Sequence, residues 1–177
     1  MKRKTIAALA ILFLMMGYIA LAEAQEKPGA APVITQAFAA KEIRPGETWK
    51  IYLNASDPNG DMKNIFAVVY QQGVGPYPAS LIRVKEQNQK ELSGYIYLWT
   101  STPWHPMDYV NLSVTVQIQD KTGNFSEPAV FLLSLTPRGS QEAPPQGVFK
   151  EQELGPIMVK LKTIDGADGG GGESGGH

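Results

Sequence analysis

At 177 residues and a formal net charge of −1, the chain has room for one ordinary domain with tails, and its scattered bases exclude a nucleic-acid partner. It contains no cysteine, which excludes disulfides, thiolate catalysis, cysteine-held metals and a lipidated N-terminal Cys. Stability must then come from an apolar core, which a domain of about 100 residues can supply.

The chain opens with a positive triplet, Lys2-Arg3-Lys4, followed by an apolar run over residues 6–21 and the small-residue site Ala22-Glu23-Ala24. This is the pattern of a signal peptide over 1–24, with cleavage expected before Gln25. The competing reading is an uncleaved anchor, because the apolar run approaches the ~18 residues that span a bilayer. Either way the rest is expected outside the cytoplasm, in the periplasm or extracellular, and the lack of cysteine suits a bacterial protein. Cleavage would remove three bases and one acid, leaving 13 Lys+Arg against 16 Asp+Glu, a net of −3. No later stretch is long enough to cross a membrane; the next most apolar run, 129–135, has strand length.

Residues 25–32 read as a linker, and 33–38 as a first edge strand. Arg44-Pro45-Gly46-Glu47 is a turn, with Pro fixing φ and Gly accepting φ > 0. Residues 48–55 alternate Trp49, Ile51 and Leu53 with polar neighbours, so Trp49 is expected inside. The turn Asp57-Pro58-Asn59-Gly60-Asp61 follows. Residues 65–71 are apolar at both parities and read as a central strand buried on both faces. A Gly/Pro loop at 73–78 leads to a short strand at 80–86 and a polar turn at 87–90. Residues 92–100 put Tyr95, Tyr97 and Trp99 on one face and Ile96 and Leu98 on the other. The longest irregular loop, 101–109, carries Trp104 and His105. Residues 110–119 place Leu112, Val114, Val116 and Ile118 on one side, then turn at Asp120-Lys121-Thr122-Gly123-Asn124 before a last strand at 127–135.

No segment carries a helical period. About seven strands at this spacing predict an all-β, immunoglobulin-like antiparallel sandwich over 33–136. After it, 137–154 reads as a linker, 155–165 as one extra strand with Ile157, Val159 and Leu161 on one face, and 166–177 as a disordered, Gly-rich end. The extra strand has two readings: folding back onto an open sheet edge, which is preferred, or donation to a partner by β-augmentation.

The turns carry a resemblance. Ile43-Arg44-Pro45-Gly46-Glu47, Ala55-Ser56-Asp57-Pro58-Asn59-Gly60 and Asp120-Lys121-Thr122-Gly123-Asn124-Phe125-Ser126 resemble the turn motifs of bacterial immunoglobulin-like and PKD/cadherin-like modules over about residues 31–136. The resemblance implies an extracellular binding or spacer module. The segment after Arg138 departs from a plain tandem module.

Asp57, Asn59 and Asp61 stand at alternate positions, as at the start of a calcium loop, and Asp120 could join them if its turn lies near. Gly60 and Val68 break the EF-hand pattern. The preferred reading is that these side chains bond their own turns, with no cofactor. Tyr95, Tyr97, Trp99, Trp104 and Tyr109, with Tyr70 and Tyr77 nearby, form either an exposed platform for a sugar or protein, or part of the core. His105 is the sole histidine before the last residue, and no nucleophile–base set accompanies it, so no enzyme is expected. Asn54, Asn111 and Asn124 fit the N-glycosylation pattern, which in a bacterial protein is coincidence. The expected function is a non-enzymatic binding or assembly module acting on a protein partner or cell-surface polymer, with a carbohydrate-binding module as the alternative.

Overall fold

The computed structural model describes residues 29–100 and 109–162. The expected signal segment, linker residues 25–28, Trp104, His105, residues 163–165 and the Gly-rich end lie outside the described residues.

Two sheets share one core. The strands are β1 (Val33–Ala39), β2 (Glu42–Ile43), β3 (Thr48–Ser56), β4 (Met62–Gln71), β5 (Gly75–Pro76), β6 (Ser80–Arg83), β7 (Glu91–Trp99), β8 (Val110–Asp120), β9 (Ala129–Leu135) and β10 (Glu153–Pro156). One sheet, the strapped sheet, runs β1-β3-β7-β10. The other, the bare sheet, runs β2-β9-β8-β4, with β5 and β6 on the far side of β4. This is an all-β, immunoglobulin-like sandwich. The period-two pattern decides it: Ile51 and Leu53 in β3, Ile96 and Leu98 in β7, and Leu112, Val114, Val116 and Ile118 in β8 all point inward and are buried. Trp49 is fully buried, and its indole N–H donates to the Ala40 carbonyl at 2.8 Å, so its one polar atom is satisfied.

Two expectations need correction. Residues 65–71 are not buried on both faces: Ile65, Ala67 and Val69 enter the core, but Val68 and Tyr70 face outward and are exposed. Among the described residues the strand has a sheet on one side only, so its second apolar parity faces outward. The segment 137–154 is not a plain linker, and the extra strand begins at Glu153 and ends at Pro156, so 157–162 are not strand.

The C-terminal segment is a strap that closes the sandwich. In an immunoglobulin sandwich a strand between the third and fifth positions in sequence completes the first sheet. Here β5 and β6 pair with β4 instead, and the vacant edge of β7 is taken by β10, running parallel to it. Gly94 and Gly155 permit the close approach. A Cβ at Gly94 would overlap the Gln152 carbonyl and press on Leu154. Gly155 sits at φ 151, where a side chain is strained and a Cβ would strike Ile82. Beyond β10, Ile157 and Leu161 are buried in the common core, each contributing about 1.5–3 kcal/mol by leaving water.

Candidate functional site

The outer face of the strapped sheet carries the aromatic ladder foreseen for β7. Tyr95, Tyr97 and Trp99 stand on one side of the strand, Tyr95 and Tyr97 with centroids 6.4 Å apart and Tyr97 and Trp99 at 5.3 Å. Neighbouring strand β3 adds Tyr52, 5.5 Å from Tyr95, and β1 adds Phe38. Much of this ladder is not open. The strap lays Phe149 on Tyr52 at 5.7 Å, and Tyr52 is only 5% exposed. Lys50 sits 4.2 Å over the Tyr95 ring and pairs with Glu151 at 3.1 Å, while the Tyr52 hydroxyl donates to the other Glu151 oxygen at 2.7 Å. Those two donors hold the Glu151 carboxyl below its usual range, and burial followed by the Glu151 bond pushes the Tyr52 phenol up. For Lys50, burial acts against the ammonium, but the Glu151 bond and nearby negative charge outweigh it and raise its pKa. The ladder is thus in part a second small core between sheet and strap, and only its Trp99 end, 52% exposed, faces solvent freely.

Further contacts fasten the strap. Gln141 accepts from the Lys50 amide, and Asn54 donates to Gln36 and to the Val148 carbonyl. The far end is latched by Gln71, which is fully buried at the end of β4. Its Nε2 donates to the Lys162 carbonyl at 2.6 Å, and its Oε1 accepts from the Tyr77 hydroxyl; that hydroxyl accepts from the Lys162 amide at 2.9 Å. Sequence reasoning missed Gln71, Phe149 and Glu151, since each acts across 80 or more residues of chain and no local pattern marks them.

The two Asp-led turns lie together at one end of the sandwich. The Lys121 amide donates to the Asp61 carbonyl at 3.0 Å. Asp57 accepts from the Asn59 and Asp61 amides, and Asp120 accepts from the Asn124 amide, the Thr122 hydroxyl and the Asn124 side chain. Burial acts to raise Asp120, but the Asn124 and Thr122 bonds outweigh it and its pKa falls. Asp61 moves the other way: burial raises it, as do its bond to Asp57 and the charges of Asp57 and Asp120. Asn59 and Asn124 also donate to the Ala30 and Gly29 carbonyls, tying the incoming chain to both turns. These bonds are those of turns holding themselves. No group of three His, Asp or Glu side chains suited to a metal ion gathers among the described residues. Tyr109 lies at the opposite end, exposed, with φ 61.

The outer face of the bare sheet is the larger find. β9 presents Val130 and Leu132, β8 presents Ser113, Thr115 and Gln117, and β4 presents Phe66, Val68 and Tyr70, with Leu81 of β6 beyond. Leu132 is 67% exposed, Val130 61% and Leu81 57%; Phe125, packed edge-on against Phe66, is also open. These rows contain no charged side chain. The sequence held one signal for it: residues 65–71 and 129–135 are apolar at both parities.

No family model and no curated protein matches this chain. Among solved structures it is similar to the PKD domain of an M14-like peptidase from Thermoplasmatales archaeon SCGC AB-540-F20, at 15% identity and a TM-score of 0.38, over 60% of this chain and 97% of that domain. The two sheets form an immunoglobulin-like sandwich, the fold class that the turn motifs foreshadow. Among the described residues, no helix is long and apolar enough to cross a membrane.

Proposed function

We propose that this chain is an exported, non-enzymatic binding or assembly module that docks a protein partner on the outer face of its bare sheet. One observation carries the reading: Val130, Leu132, Val68, Tyr70 and Leu81 share an exposed surface, with no charged side chain in their rows, that no part of the described chain covers. Burying such side chains returns about 25 cal/mol for every Å² of apolar area, and most of that gain is unclaimed in the monomer. Export is inferred from the signal pattern over 1–24.

Photo-crosslinking from position 132 inside the producing cell tests the reading, with position 85 on the rim as control. A discrete adduct from 132 and none from 85 is expected. Equal labelling from both positions, or none from 132, would remove the sheet face as a docking site. N-terminal sequencing of the purified protein tests export, and a chain starting at Gln25 is the expected result.

A second reading keeps the strapped face. Trp99, half-exposed beside Tyr97, offers a stacking surface for a sugar ring. Polysaccharide binding that disappears in Trp99→Ala, with an unchanged melting temperature, would favour this reading over the first.

A further inference from the structure

The rows of the bare sheet are ordered in a way that fits one partner above others. At the level of Ser113, the row across the face reads Leu132, Ser113, Tyr70; one step along it reads Val130, Thr115, Val68. The central strand β8 is lined by hydroxyls and an amide, and the strands on either side are apolar. A two-fold axis lying along β8 would therefore bring β9 of one copy over β4 of the other. Leu132 would meet Tyr70, Val130 would meet Val68, and the β8 row would meet itself. Hydroxyl and amide groups both donate and accept, so that row can face its own copy through bridging water without repulsion. A charged row could not do so without like-charge repulsion. Arg83 and Glu42 stand at the two edges of the face, away from the axis.

We infer that the partner of this face is a second copy of the chain, in a two-fold, sheet-on-sheet dimer with β8 at its centre. The inference rests on the docking role proposed above and names its occupant. An isologous contact needs a self-complementary patch, and this register provides one. Stacked sheets sit about 10 Å apart with strands within about 30° of one another, an arrangement that rows without charge permit. With the axis on β8, strands β9, β8 and β4 of each copy overlap, a patch about 10–15 Å across that falls below the about 1,200 Å² of stable interfaces and in the range of weak, transient ones. The expected affinity is correspondingly modest, with a dissociation constant on the order of 10–100 µM.

Sedimentation velocity over a concentration series tests this directly. The full chain should shift from monomer to dimer across that range. Thr115→Arg, which sets two like charges against each other on the axis, should raise the dissociation constant at least about tenfold, with an unchanged melting temperature. Val130→Lys and Val68→Glu should each weaken self-association, and mixing the two should restore a heterodimer, because position 130 of one copy faces position 68 of the other. A chain that stays monomeric throughout overturns the inference, while a discrete hetero-adduct from position 132 would leave the docking reading standing. A dimer indifferent to all three substitutions, or a mixture that recovers nothing, overturns it as well.

Discussion

The two outer faces of this sandwich are built alike and end differently. Each turns a run of large side chains outward along its central strands: Tyr52, Tyr95 and Tyr97 on one, Val68, Tyr70, Val130 and Leu132 on the other. The chain itself covers the first, laying residues 141–151 across it and threading β10 onto the free edge of β7. The second has no such cover among the described residues. The difference lies in what each face offers a strap. The aromatic face supplies polar handles, Lys50 and the Tyr52 hydroxyl, which Glu151 can grip. The rows of the bare face offer no charged handle of that kind, only apolar side chains beside hydroxyls and an amide, which suit another apolar surface better than a single strand of chain.

This contrast can be broken most severely by removing the strap. A chain ending at Arg138 should lose Ile157 and Leu161 from the core, each worth about 2–5 kcal/mol. Against a typical total of about 5–15 kcal/mol, that loss should abolish cooperative unfolding. Retention of the full-length denaturant midpoint would reduce the strap to an accessory. Next in size, Ile157→Ala alone should cost about 2–5 kcal/mol, read as a lowered midpoint at unchanged slope. Gln71→Ala should cost about 1–3 kcal/mol, since the Tyr77 hydroxyl and the Lys162 backbone lose their buried partner. Hydrogen exchange should then quicken at the end of the strap while β3 and β8 remain protected.

The smallest expected effect is a pH dependence. Glu151 and Asp120 both titrate lower in the folded chain than their ordinary values of 4.5 and 3.8. The stability they confer is therefore complete above those values and fades as pH falls through the lower, folded ones. Asp61, raised in the fold, works in the opposite sense and gains as it protonates. Melting curves on the acid side should show Glu151→Gln with a shallower loss than the parent chain. An identical acid profile would show that the Glu151 clamp contributes nothing to holding the strap.

Legibility followed the range of the interactions. The alternation in β3, β7 and β8, the Arg44–Glu47 turn and the self-bonded Asp57 and Asp120 turns are set by neighbours a few residues apart, and they could be read directly. The aromatic side of β7 was readable, but its fate was not: whether that face is a platform or a floor depends on Phe149 and Glu151, which reach the neighbouring Tyr52 from far along the chain. Residues 65–71 misled for a related reason, since apolar residues at both parities mean two buried faces only if something covers the second.

The amino-acid order by itself determined which residues pleat into strands, where the chain must turn, and that a cysteine-free domain has to hold together by its core. Only the tertiary structure decided which apolar side each sheet hides. It also decided that a glycine- and proline-punctuated tail, whose strand pairs only when β7 offers a bare edge, would complete one face and, among the described residues, leave the other uncovered. Periodicity is a property of neighbours, whereas cover is a property of distance in space, and the strap at Ile157 and Gln71 joins segments that the linear order keeps far apart.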